Sequence, residues 1–179
     1  MRFLIASAIA FAVALIDLQA VTLGDLMSDP KLTPKRFANY FANFDFQLFP
    51  YVQTAEQFLS SQRGDCQDYA ILADYVLSRK GYETRLIRVV MVGAMPHDVC
   101  YVTQTKSYLD YNNRVYFINL QRSDRRIREI ATRVADSFSA NWTSASVYTY
   151  NYKEDIKHMK LTVVKTDPPD EDPDAGNGS

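Results

Sequence analysis

At Gly81 the hydrophobic period of the chain changes, and that change limits the fold more than any other feature of the sequence. Upstream, Cys66, Ala70, Ala73 and Leu77 stand at i, i+4, i+7 and i+11, so one stripe of a helix from Cys66 to about Arg79 faces a core. Gly81 supplies its stop. Two shorter helices are expected before it. Thr33 as N-cap and Pro34 at N1 open one in which Phe37, Tyr40, Phe41 and Phe44 share a face, and residues 54–60 form the other. Downstream, residues 84–92, 98–103, 108–111 and 114–118 are short, rich in Val, Ile and Tyr, and fit strands. Asn112-Asn113 suits a tight turn because Asn tolerates positive φ. The expectation is an α+β fold in which an antiparallel meander packs on the helix that precedes it. Residues 124–138 read as a further helix with Ile127, Ile130, Ala131, Val134 and Phe138 inward and Arg125, Arg126, Arg128 and Arg133 mostly outward. Residues 146–152 and 161–165 read as the last strands, with Tyr148, Tyr150 and Tyr152 on one side.

Both ends differ from this body. Arg2 is followed by an apolar run from Phe3 to Ile16 and a short polar stretch ending at Ala20, the layout of a secretory signal peptide. The run is shorter than the roughly 20 apolar residues that cross a bilayer, so no stable membrane insertion is expected once residues 1–20 are removed. Residues 166–179, TDPPDEDPDAGNGS, read as a disordered acidic tail. What lies between, residues 21–165, has the length of one domain. The tail's five acidic residues leave the remainder at about +4 against −1 for the whole chain, a balance short of the basic signature of nucleic-acid binding. The expected setting is the periplasm or the extracellular space.

Only two cysteines occur, and in an exported chain two cysteines suggest one disulfide. A different role is available to Cys66. A thiol needs to be a thiolate to act as a nucleophile, and a helix N-terminus favours that form. Asp65 is a good N-cap, Asp68 echoes a capping box, and Cys66 is then the first helical residue beside free N–H groups that could hold an oxyanion. A nucleophilic cysteine also requires a base, and beyond residue 20 the chain offers only His97 and His158. Alternation puts His97, Val99 and Tyr101 on one strand face and Asp98, Cys100 and Val102 on the other, so a His97 aimed at Cys66 turns Cys100 away. Disulfide and catalytic pair are therefore competing expectations. A third group must orient the imidazole, and a strand, a turn near Thr105-Lys106 and a return strand bring Asp110 back beside His97; Asn112 and Asn113 could serve in its place.

The segment Arg63-Gly64-Asp65-Cys66-Gln67-Asp68-Tyr69-Ala70, preceded by Ala55 to Leu59 and followed by Gly81, resembles the bacterial transglutaminase-like cysteine peptidase family, whose motif runs G-D-C-E-D-Y-A. His97 with Val99 and Tyr101, and the pair Leu109-Asp110, match that family's His and Asp strands. The resemblance spans about residues 54–118. It implies a papain-like α+β core with the cysteine helix packed on an antiparallel sheet, nucleophile Cys66, base His97 and orienting Asp110. No cofactor is required by such a triad, and the substrate would be a protein or peptide. In some members acidic residues flanking the cysteine bind calcium, which points to Asp65 and Asp68; Gln67 stands where the family usually has Glu. A thioester formed at Cys66 would be resolved by water in a peptidase or by an amine in a transglutaminase. Two other readings stay open. One is a non-catalytic binding module on the same fold, using the tyrosine stripe or the basic helix. The other is a metal site of Cys66, His97, Cys100 and Asp110.

Overall fold

The computed structural model describes residues 20–111, 121–123 and 125–165. Residues 1–19 of the expected export signal, the expected Asn112-Asn113 turn and 114–118 strand, and the expected acidic tail lie outside the described residues. Five helices and eight strands are described: α1 (Leu23–Ser28), α2 (Pro34–Tyr40), β1 (Asp45–Phe46), α3 (Ala55–Ser61), β2 (Arg63–Gly64), α4 (Cys66–Arg79), β3 (Thr84–Met91), β4 (His97–Val102), β5 (Ser107–Asp110), β6 (Gln121–Arg122), α5 (Ile127–Ser137), β7 (Trp142–Asn151) and β8 (Ile156–Val164). β1 and β2 form a small parallel pair, and the other six strands form one antiparallel sheet in the order β6-β5-β4-β3-β7-β8. The meander read from the sequence is the β3-β4-β5 part; β7 and β8 extend the sheet on the other side of β3. Among the described residues no helix is long and apolar enough to cross a membrane.

Helices cover both faces of the sheet. Cys100, Val102, Leu109, Leu86 and Tyr148 point to the side of α4 and share a core with Phe37, Phe41, Phe58 and Tyr69. Val99, Tyr101, Tyr108, Ile87 and Val89 point the other way, against Ile130, Ala131 and Val134 of α5. The period-two alternation of β4 and β5 is thus read out as two separate cores, with all six residues of β4 buried. The α4 side is aromatic: Phe41 meets Phe37, Phe44, Phe58 and Tyr69 at centroid distances of 4.8, 4.8, 5.6 and 5.1 Å. Such contacts add about 0.5–1.5 kcal/mol each beyond the area they bury.

Several boundaries differ from the sequence reading, and β7 and β8 begin at Trp142 and Ile156, ahead of the expected 146 and 161. The Thr33-capped helix ends at Tyr40, with Phe41 at ψ 7°, so Phe44 reaches the core from a turn rather than along a helical stripe. α5 begins at Ile127 because Arg126 is extended and caps without a side-chain bond. Phe138 is the C-cap of that helix and stays 38% exposed instead of packing inward.

Candidate active site

Asp65 is the extended N-cap of α4, and its Oδ1 accepts the N–H groups of Gln67 at 2.8 Å and Asp68 at 3.4 Å. Asp68 Oδ2 accepts the Asp65 N–H at 3.1 Å in return, completing the capping box. The same Asp68 carboxylate accepts from Gln53 N–H at 2.7 Å and Gln53 Nε2 at 2.9 Å, which fastens the 49–53 loop to the start of the helix. Burial, the largest influence, raises the Asp68 carboxyl; the amides of Gln53 oppose it and the charge of Asp65 adds to it. Gly64 is required by this crowding, since a Cβ there would lie 2.5 Å from the Phe58 ring and 2.8 Å from Asp68 Oδ2. The cap engages the N–H groups of Gln67 and Asp68, so of the helix-start donors expected for an oxyanion only that of Cys66 itself is left.

Cys66 occupies the first helical position, buried with 6% of its surface exposed. His97 opens β4, and its Nε2 lies 2.7 Å from Asp110 Oδ1 at the end of β5. Asp110 is opposite Val99 in register, so the two side chains leave the sheet on the same face. Asp110 takes Nε2, which leaves Nδ1 as the ring nitrogen open to a second partner. Burial is the largest single influence on His97 and disfavours its charge. The charge and hydrogen bond of Asp110, joined by the hydrogen bond and charge of Cys66, outweigh it and raise His97 to about 10. Phe138 covers the ring edge-on at 4.9 Å between centroids. His97 and Asp110 thus meet at the ends of β4 and β5, with Cys66 at the start of α4 among the groups that act on the ring.

One expectation fails in detail. Cys100 was expected to turn away from the cysteine helix, yet it faces α4, because it is the Val99 and Tyr101 parity, shared by His97, that faces α5. Cys66 and His97 meet instead at the strand ends, where α4 begins. Both cysteines are free; Cys100 sits deeper along α4, where burial and then the charge of Asp74 push its thiol well up. In the preceding helix, Gln57 Oε1 caps α3 by accepting from Thr54 N–H, and Gln62 is its left-handed C-cap.

Asp65 and Asp68 do not fit a calcium ion as arranged. Calcium takes six to eight oxygens, whereas three of these four carboxylate oxygens already accept close amide hydrogen bonds, and the fourth, Asp65 Oδ2, faces Phe49 N–H at 3.5 Å. Among the described residues no group of three His, Cys, Asp or Glu side chains is placed to hold a metal ion.

A second polar group lies beside the start of α4. Asp98, fully buried, pairs with Arg88 at 2.6 Å and has Lys157 Nζ at 3.6 Å. Lys157 donates to Gln67 Oε1, feels the charge of Cys66, and is lowered chiefly by burial. No local pattern marks this contact, which joins residues 90 apart. A cleft of about 260 Å³ opens here, with Phe49, Tyr51 and Val52 on one wall, Tyr150 and Lys157 on the other, and Gln67 at the base. A larger cavity of about 650 Å³ lies between α4 and the β7–β8 hairpin and holds His158, Tyr75 and Arg79. It does not reach Cys66.

The model of the transglutaminase-like superfamily matches residues 22–119. The chain belongs to the transglutaminase-like superfamily. Its mixed helix and antiparallel-sheet architecture is that superfamily's core, with the cysteine helix on the sheet. Among solved structures, it is similar to Legionella pneumophila LapG in a calcium-bound form, at 16% identity over 72% of each chain with a TM-score of 0.48. It is similar also to the EGTA-treated form, at 14% identity over 76% of this chain and 77% of that one, again with a TM-score of 0.48. No curated protein matches the sequence.

Proposed function

We propose that this superfamily member is an exported cysteine-dependent hydrolase or acyl transferase. Its targets are peptide or glutamine amide bonds of an envelope or extracellular protein, in the periplasm or outside the cell. Cys66 is the nucleophile, His97 the base and then the acid, and Asp110 the group that orients the ring. One observation carries the reading: His97 Nε2 is held by Asp110 Oδ1 at 2.7 Å, and Cys66 at the start of α4 acts on the same ring. In the first step Cys66, its proton already held by His97, attacks as the thiolate and the sulfur bonds to the carbonyl carbon. The tetrahedral oxyanion is met by the Cys66 N–H at the helix start. Collapse breaks the carbon–nitrogen bond, and the imidazolium gives its proton to the leaving amine, leaving a thioester on Cys66. His97 then takes a proton from water, or from an acceptor amine, as that nucleophile displaces the sulfur. Water yields hydrolysis and an amine yields transamidation.

No step passes through calcium, because Asp65 and Asp68 are engaged as cap and loop anchor. Residues 1–20 serve as export signal, 21–165 as the catalytic domain and 166–179 as an acidic tail. The test is the rate at which iodoacetamide labels Cys66, followed by mass spectrometry between pH 5 and 8. His97→Ala is expected to slow it by about a hundredfold or more. Equal rates in the two proteins would instead favour the binding-module reading, in which the fold is kept and the triad is idle.

A further inference from the structure

Gln67 presents an amide with one end fixed and the other open. Its Oε1 accepts from Lys157, whose ammonium is itself held between Gln67 and the Asp98–Arg88 pair and lies beside the Tyr148 ring at 5.1 Å. An amide is planar, with oxygen on one side and NH2 on the other, so fixing the oxygen also fixes where the donors point. Gln67 Nε2 has no protein partner among the described residues, and Gln67 forms the base of the 260 Å³ cleft. Gln67 is the residue next to the nucleophile, and Lys157 on the cleft wall feels the Cys66 charge. The aromatic walls suit apolar side chains, and Asp155, which also lines the cleft, is turned to the Tyr150 hydroxyl at 2.6 Å.

We propose that this cleft binds an extended peptide segment adjoining the scissile bond, with Gln67 Nε2 donating to a backbone carbonyl of the segment and Lys157 acting as the positioning residue that holds the Gln67 amide in that orientation. The proposal rests on Cys66 being the nucleophile. It gives the glutamine a role that a carboxylate at position 67 could not fill: a glutamate would pair with Lys157 equally well but has no proton to donate. A merely structural tie between α4 and β8 would survive that exchange; the peptide contact would not.

The experiment uses two apolar peptidyl alkylating agents, a blocked phenylalanyl-alanyl chloromethyl ketone and a chloroacetyl-phenylalanyl-alanine amide, which extend from opposite sides of the reactive carbon. Each rate at Cys66 is divided by the iodoacetamide rate on the same protein, so that changes in the thiol's own reactivity cancel. One agent is expected to show a ratio well above that of its non-peptidyl parent, chloroacetone or chloroacetamide. Q67E should lower that ratio about tenfold, the loss of one hydrogen bond, and K157M should lower it several-fold. Combining the two should cost no more than Q67E alone, since both act through one amide. No peptidyl advantage with either agent, or an advantage untouched by Q67E, overturns the proposal. Iodoacetamide labelling that is indifferent to His97→Ala would overturn the triad itself, a separate outcome.

Discussion

Adjacent residues of β4 send buried charges in opposite directions. His97 pairs with Asp110 on the face shared with α5, while Asp98 pairs with Arg88 on the face shared with α4. Both acids are almost wholly covered and both pairs are close, at 2.7 and 2.6 Å. Their chemistry differs. The first pair includes a base whose charge can be given up and recovered, which is what proton transfer needs. The second joins an acid to an arginine, which stays charged at any working pH, and so it supplies a fixed field and a fixed anchor for Lys157. The difference teaches that burial of an ion pair does not reveal its use; what matters is whether the cation can lose its proton where a reacting atom can receive it.

The largest effect should come from breaking the first pair. Asp110→Asn keeps the shape but leaves the imidazole without its counter-charge, and turnover of a cleaved peptide should fall by about 10³–10⁴-fold. The matching change on the other face, Asp98→Asn, leaves Arg88 and Lys157 without their acid. Its signature should be stability, a loss of about 3 kcal/mol in urea unfolding. If Asp98→Asn instead abolished turnover in a fully folded protein, the division of labour between the two pairs would be wrong.

A third measurement separates the pairs by pH. His97 is raised above the value of about 6.5 that an unfolded histidine has. Its charged form therefore stabilises the fold fully below about pH 6.5, and that contribution disappears as pH rises through about 10. The stability gap between the natural protein and Asp110→Asn should narrow between pH 7 and 10.5, while the gap for Asp98→Asn stays flat. Parallel pH curves would show that His97 does not carry its charge into the folded state. The smallest effect concerns the ring over the imidazole: Phe138→Leu removes an edge contact at 4.9 Å and should cost about 1 kcal/mol in the same unfolding assay.

The helix start at Cys66 and the pairing of His97 with Asp110 were legible because each rests on local rules. Asp65, Cys66 and Asp68 spell a helix start in consecutive letters, and α4 runs over Cys66–Arg79 as read. Asp110 follows from the length of a strand, a turn and a return strand. What surrounds the triad was not legible, because it is made by contacts between distant segments. Gln53 reaching Asp68 depends on the parallel β1–β2 pair, two residues per strand, which no periodicity announces. Lys157 comes from β8, whose residues are exposed or half-buried on both faces, so its pattern carries no alternation to mark which side chain turns inward. Alternation also misled over Cys100: it separates the faces of a strand correctly but does not say which face receives which helix.

Asp68 accepts three hydrogen bonds, one from the cap of the cysteine helix and two from Gln53 in the loop that bears Phe49, Tyr51 and Val52. One wall of the cleft and the nucleophile are thereby parts of a single rigid body. The opposite wall has no such clamp; it is a hairpin joined to the helix start through the Lys157–Gln67 contact. A designer of inhibitors can treat the first wall as a fixed ruler for the distance from warhead to aromatic group, and should place any bulk that demands accommodation against the hairpin.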